Sequence, residues 1–128
     1  MIKNFLVINF TGKNNLIGLC YNNNFFIKKL QTNITNNNET LVQNIMDLMK
    51  INNLKIDNTF SIIVNVGPGS FSSIRSAISV AKGIQISKGI KLYSYKNSQL
   101  TEFNQANIEY LIKKNLLENN LIKPLYLS

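Results

Sequence analysis

Val66-Gly67-Pro68-Gly69-Ser70-Phe71-Ser72-Ser73-Ile74-Arg75 is the stretch on which the fold turns. Before it runs Phe60-Ser61-Ile62-Ile63-Val64-Asn65-Val66, apolar on both faces, as a central strand buried from both sides requires. After it, Ile74 to Lys88 carries the spacing of a helix. A Gly-Pro-Gly turn between strand and helix leaves backbone N–H groups at the positive end of the helix dipole, where anions bind. Two readings stay open. In one, Gly67, Pro68, Gly69, Ser70, Phe71 and Arg75, the only arginine against thirteen lysines, form an anion turn. In the other the turn is purely structural, with Ser70 or Ser72 as N-cap.

Toward the N-terminus, Ile2–Phe10 reads as a strand with Phe5 and Val7 on one face and Leu6, Ile8 and Phe10 on the other. Leu16–Tyr21 and Phe25–Leu30 read as strands two and three, joined by the loop Asn22-Asn23-Asn24, because asparagine tolerates the left-handed region. Short turns make these three an antiparallel meander. Thr32–Asn38 reads as a polar loop, with Asn36 or Asn38 capping a helix that runs to about Asn52 and carries Glu39 in its first turn. Leu41, Ile45 and Leu48 share one direction on that helix, and Val42, Met46 and Met49 a second. This arc is wider than one sheet needs, so part of it is expected to face another partner. On the helix after the turn, Ile74, Ala77, Ile78 and Ala81 point one way, while Ser72, Ser76, Ser79 and Gly83 point nearly opposite. The second face lacks bulk and admits a close helix. An intermolecular contact is the preferred reading, with a solvated serine face or an internal sandwich as the alternatives.

Lys91–Tyr95 reads as strand five. Asn97–Glu118 reads as one or two helices, with Ile108, Leu111, Ile112 and Leu116 at helical spacing, and the tail from Ile122 to Leu127 as extended. The order is three antiparallel strands, helix, strand, helix, strand, helices. It predicts an α/β chain, a single ribonuclease H-like lobe of the actin, sugar-kinase and Hsp70 superfamily with a mixed five-stranded sheet.

A chain of 128 residues fits one domain with a real core. No apolar run approaches the roughly 20 residues of a membrane span, and the start of the chain does not read as a signal peptide, so a cytoplasmic protein away from membranes is expected. One cysteine, Cys20, excludes an internal disulfide and reads as a small hydrophobe in a strand. The net charge of +8 invites a polyanion, yet 22 asparagines and 13 lysines beside many isoleucines are what AT-rich codons produce, and the lysines are scattered.

The absence of histidine rules out Ser-His-Asp and Cys-His devices and histidine metal sites. The six acids, Glu39, Asp47, Asp57, Glu102, Glu109 and Glu118, fall in predicted helices or loops, with none at the end of a core strand and no pair placed for acid–base or two-metal work. The glycine turn lacks the Gly-Lys-Ser/Thr of a Walker loop, the third glycine of a dinucleotide fingerprint and the glycines of a nucleophile elbow. No metal and no cofactor is expected.

Val66 to Ile84 resembles the signature of the TsaB (YeaZ) family, Gly-Pro-Gly-Ser-Phe-Thr-Gly-Leu-Arg followed by a small-residue helix ending Ala-Lys-Gly. Ile8-Asn9-Phe10-Thr11 is similar to the family's first strand ending Ile-Asp-Thr, and Lys123–Ser128 to its closing Pro-x-Tyr-Leu-Arg, with Ser128 where arginine is usual. Family members carry two lobes. The resemblance implies that residues 1–128 are a single first lobe, that the second lobe is largely missing, that 121–128 is the closing segment, and that 101–120 is a remnant or replacement helix.

The resemblance further implies a non-catalytic scaffold subunit in tRNA threonylcarbamoyladenosine (t6A) modification. Such proteins pair with TsaD, the transferase, through the first two helices of each subunit, and TsaE joins as an ATPase. The expected interface here is Val42, Ile45, Met46, Met49, Ser72, Ser76, Ser79 and Gly83, with tRNA met only through the complex and a homodimer through the same surface when the partner is absent. Asn9 replaces the acid that metal-dependent nucleotide sites of the superfamily use. The alternatives are a reduced superfamily phosphotransferase or nucleotide-binding module built on Gly67–Ser70, and a lysine-dependent tRNA-binding module.

Overall fold

The computed structural model describes residues 2–30, 37–119 and 122–125. Strands β1 (Asn4–Asn9), β2 (Leu16–Tyr21) and β3 (Asn24–Lys29) come first. Helix α1 (Asn37–Ile51), strand β4 (Phe60–Asn65), helix α2 (Phe71–Lys88) and strand β5 (Lys91–Tyr95) alternate after them. A single 3₁₀ turn at Asn97–Gln99 leads to α3 (Gln105–Lys113). The sheet order is β3-β2-β1-β4-β5, antiparallel across the first three strands and parallel among β1, β4 and β5. This is the mixed five-stranded sheet of an α/β, actin-like lobe.

Alternation along the strands sorts the core into two layers. Leu6, Ile8, Ile17, Leu19, Ile62 and Val64 face α1 and α2, where Leu41, Ile45, Ile74, Ala77 and Ala81 meet them. Phe5, Val7, Cys20, Ile63 and Tyr95 form the other layer with Ile108 and Leu111 of α3. The chain is therefore helices, sheet, helix, with β4 buried along its whole length as its unbroken apolar run requires.

Several boundaries differ from the sequence expectation, each for a local reason. The β2–β3 loop is two residues, not three. Asn22 (φ 49°) and Asn23 (φ 64°) both take the left-handed region, and Tyr21 pairs directly with Asn24. Asn38 lies inside α1 and does not cap it, and Asn36 falls outside the described residues, as does most of the polar loop from Thr32. α2 begins at Phe71, with Ser70 in extended backbone at the N-cap position, and ends at Gly89 in the left-handed region (φ 63°). The region 97–118 holds only one α-helix, of nine residues. Asn104 starts it by accepting from the Asn107 N–H at 2.8 Å, and Asn115 at φ 56° turns the chain away after it. Leu116 thus lies beyond the helix and is exposed. Glu118 then exchanges two backbone hydrogen bonds with Ser94 (2.7 and 3.0 Å), covering part of the β5 edge. Of the closing segment, 122–125 is described and Tyr126, Leu127 and Ser128 are not.

Candidate functional site

Three features of the lobe bear on function. The first lies where β1, β4 and β5 end side by side. Each closes on a polar residue: Asn9, Asn65 and Tyr95. Their side chains are buried and bond to one another. Asn9 Oδ1 accepts from Asn65 Nδ2 and from the Tyr95 hydroxyl, both at 2.7 Å. Asn9 Nδ2 donates to the Asn14 carbonyl at 2.9 Å, and Asn65 Oδ1 accepts from the Gly67 N–H at 2.8 Å. Asn97 Oδ1 accepts from Asn65 Nδ2 at 3.2 Å. Burial pushes the Tyr95 hydroxyl far above its ordinary pKa, so it stays a neutral donor. The ends of the parallel strands are thus a neutral amide network. Beside it, Lys13 and Lys29 join Asn9, Thr11 and Asn14 around a cleft of about 560 Å³.

The second feature is the Gly-Pro-Gly turn. Its N–H groups are largely committed within the chain. The Gly67 N–H goes to Asn65, the Ser70 N–H to the Thr11 carbonyl (3.0 Å) and the Gly69 N–H to the Leu125 carbonyl (3.3 Å), which corrects the expectation of free donors at these three positions. Ser70 stands at the N-cap position, yet its hydroxyl makes no capping bond. Leu125 also donates to the Val66 carbonyl at 2.7 Å, so the tail crosses the turn as a strap. Gly67 sits at φ +106°, and a Cβ there would strike the Leu125 carbonyl; a Cβ on Gly69 would stand 2.7 Å from the Thr11 carbonyl. Glycine is required by close backbone approach. Pro68 is exposed, and the Arg75 guanidinium lies over the half-exposed Phe71 ring at 5.5 Å.

The third feature is the outer surface of α1 and α2. The two helices leave between them a groove of about 1020 Å³. Val42 (40% exposed) and Met46 (59%) present bare apolar surface in it. Ile45, Met49 and Val80, all buried, form its floor, and Leu54, Ile56 and Ile84 extend it. Gly83 lines the groove with open space where a Cβ would stand.

Of the residues expected at an interface, the groove brings together Val42, Ile45, Met46, Met49 and Gly83. Ser72 and Ser79 are exposed on α2 outside its lining, and Ser76 is half-buried. Sequence reasoning missed Leu54 and Ile56, which follow α1 without periodicity, and Ile84, one turn past Val80. It also missed Asn65, Tyr95 and Asn97; the usable signal was a polar residue closing each of three apolar strands.

Elsewhere, Cys20 is buried, and burial, with Glu109 second, raises its thiol pKa. Among the described residues no group of three His, Cys, Asp or Glu side chains is placed to hold a metal ion, and no helix is long and apolar enough to cross a membrane.

Comparison with known proteins agrees with this architecture. The family model for TsaD, described as tRNA N6-adenosine threonylcarbamoyltransferase, matches residues 33–104, more than half of the 128. The solved structure of YeaZ from Pseudomonas aeruginosa superposes with a TM-score of 0.65 at 16% identity, over 74% of this chain and 44% of that one. A second structure, of an uncharacterized protein with similarity to peptidase YEAZ from Pseudomonas aeruginosa, also gives a TM-score of 0.65 at 16% identity, over 74% and 44%. The chain thus spans less than half the length of the solved structures it matches, and no curated protein matches it. The chain has the fold of these structures, and the match over residues 33–104 shows that it belongs to the TsaD family.

Proposed function

We propose that this protein is a non-catalytic scaffold subunit of the t6A modification apparatus, and that it docks on TsaD through α1 and α2 and supports the active TsaD arrangement. The observation that carries the reading is the α1–α2 groove, where Val42 and Met46 expose apolar surface beside Gly83. Exposed apolar surface gathered into a groove fits a partner better than solvent. The neutral network at the strand ends supports the non-catalytic part, since Asn9 and Asn65 spend their bonds on each other and on Tyr95. TsaE and tRNA would be met only through that complex.

The test is light scattering after size exclusion, on the chain alone and mixed with TsaD of the same organism. A one-to-one complex is expected. Met46→Glu, which places a charge in the groove, and Ser79→Trp, which adds bulk on the exposed face of α2, should each abolish it with the circular dichroism spectrum unchanged. Binding that survives both substitutions sinks the reading.

The second reading, a nucleotide-binding module, draws on the cleft flanked by Lys13 and Lys29. It requires ATP binding by the isolated chain in calorimetry. No heat of binding at millimolar nucleotide removes it.

A further inference from the structure

The charges around the α1–α2 groove are unequal. Lys50, Lys55 and Lys88 line it together with one acid, Asp57. All three lysines are exposed, and among the described residues none has an ion-pair partner; the ion pair there, Lys28 with Asp47 at 3.6 Å, lies outside the groove lining. Asp57 is turned to its own loop. It accepts from the Thr59 N–H (2.9 Å) and the Thr59 hydroxyl, and these bonds hold its carboxyl below the usual range. The groove is therefore an apolar floor with a net cationic rim, three lysines against one carboxylate.

We infer that this rim selects the occupant: the groove takes a partner's amphipathic helix whose apolar stripe is flanked by aspartate or glutamate, and it prefers that partner to a second copy of this chain. The inference rests on the docking reading above and adds the chemistry of the partner's surface. An apolar stripe at i, i+3, i+4 and i+7 fills a groove of this kind. Carboxylates beside the stripe meet Lys50, Lys55 and Lys88 at the rim, where charge acts on specificity and association rate. A two-fold contact sets a patch against itself, so self-pairing through this groove brings the same three lysines together. Like charges facing each other across an interface are the repulsive element that a specific surface needs. The net charge of +8 works in the same direction.

The experiment uses the full chain and two helical peptides that share one leucine stripe, flanked by glutamate in one and by lysine in the other. Binding is followed by fluorescence anisotropy and by the methyl resonances of Met46 and Met49. The glutamate peptide should bind, shift the Met46 methyl, and lose about tenfold or more in affinity when salt shortens the Debye length from about 10 Å to about 3 Å. Lys50→Glu, Lys55→Glu and Lys88→Glu combined should reverse the preference between the two peptides. The glutamate peptide should displace any second copy of the chain, leaving one chain with one peptide in light scattering. Equal binding of both peptides, binding indifferent to salt and to the triple reversal, silence of the Met46 methyl with either peptide, or a dimer of the chain that persists with the glutamate peptide in excess would each overturn the inference. A TsaD that fails to bind overturns the docking reading, while the two peptides still decide the rule of charge.

Discussion

Placing an acid at the end of β1 should weaken this protein, and Asn9→Asp is the decisive perturbation. Asn9 is 8% exposed and makes three hydrogen bonds with two different polarities. Its Oδ1 accepts from Asn65 Nδ2 and Tyr95, which a carboxylate oxygen would also do. Its Nδ2 donates to the Asn14 carbonyl at 2.9 Å, and there a carboxylate oxygen would face another oxygen. The loss is one hydrogen bond, about 1 kcal/mol, plus about 1–2 kcal/mol for two unsatisfied acceptors held together in a buried site. The expected cost at pH 7 is thus about 2–3 kcal/mol, a large part of a stability that is about 5–15 kcal/mol for a small domain. The sign with pH follows. The introduced carboxyl is destabilised as an anion, so its folded pKa lies above its unfolded one. Its penalty is absent below the unfolded pKa of about 3.9 and grows as pH rises through the folded pKa. Protonation also restores a donor toward Asn14. Urea unfolding of both proteins from pH 4 to pH 8 should show curves that converge at the acid end and part at neutral pH. A variant as stable as the parent at pH 7, or a gap that widens toward acid, refutes the polarity assigned to this network.

Gly67→Ala forces a side chain onto a backbone at φ +106° and against the Leu125 carbonyl, and should cost about 2–4 kcal/mol, read by urea unfolding, with faster amide exchange at Leu125 as the strap lifts. Tyr95 titrates far above its ordinary value because of burial, so the unfolded chain loses that proton first and stability falls as pH rises above about 10, by up to about 1.4 kcal/mol per pH unit. Tyr95→Phe should flatten that slope at the expense of about 1 kcal/mol at neutral pH, and equal slopes in the two proteins would count against it. Cys20 is buried with its thiol pKa raised, so alkylation by iodoacetamide at pH 8 should be at least about tenfold slower in the native chain than in urea; equal rates would contradict its placement under α3.

The fold was legible because its signals are local and strong. The apolar run of β4, the Gly-Pro-Gly turn and the small-residue helix after it fix one parallel unit, and three short strands with asparagine turns fix the meander. What escaped depends on contacts distant in sequence. Leu116 carries helical spacing but lies past Asn115, whose left-handed backbone ends the helix region, and Glu118 pairs with Ser94 across 24 residues. Two of the turn's donors, the Ser70 and Gly69 N–H groups, read as free because their acceptors, Thr11 and Leu125, lie more than fifty residues away on either side. Val42 and Met46 were legible as surplus apolar surface on α1. Ile84, Leu54 and Ile56 join them only once α2 and the loop after α1 come alongside.

The ends of the parallel strands and the outer helices divide the work of this lobe. At the strand ends every polar side chain of the network is neutral, and Asn9 and Asn65 are bonded inward. That arrangement holds β1, β4 and β5 in register and anchors the turn that launches α2. The turn is held a second time by the strap from Leu125. α2 therefore leaves the sheet at a fixed angle, and it is α2, with α1 beside it, that carries the groove. In the docking reading proposed above, a network built in this way serves to position that surface. Its loss should loosen the groove before it unfolds the sheet, because Ile62 and its neighbours are held by apolar burial on both faces, while the start of α2 depends on a handful of hydrogen bonds.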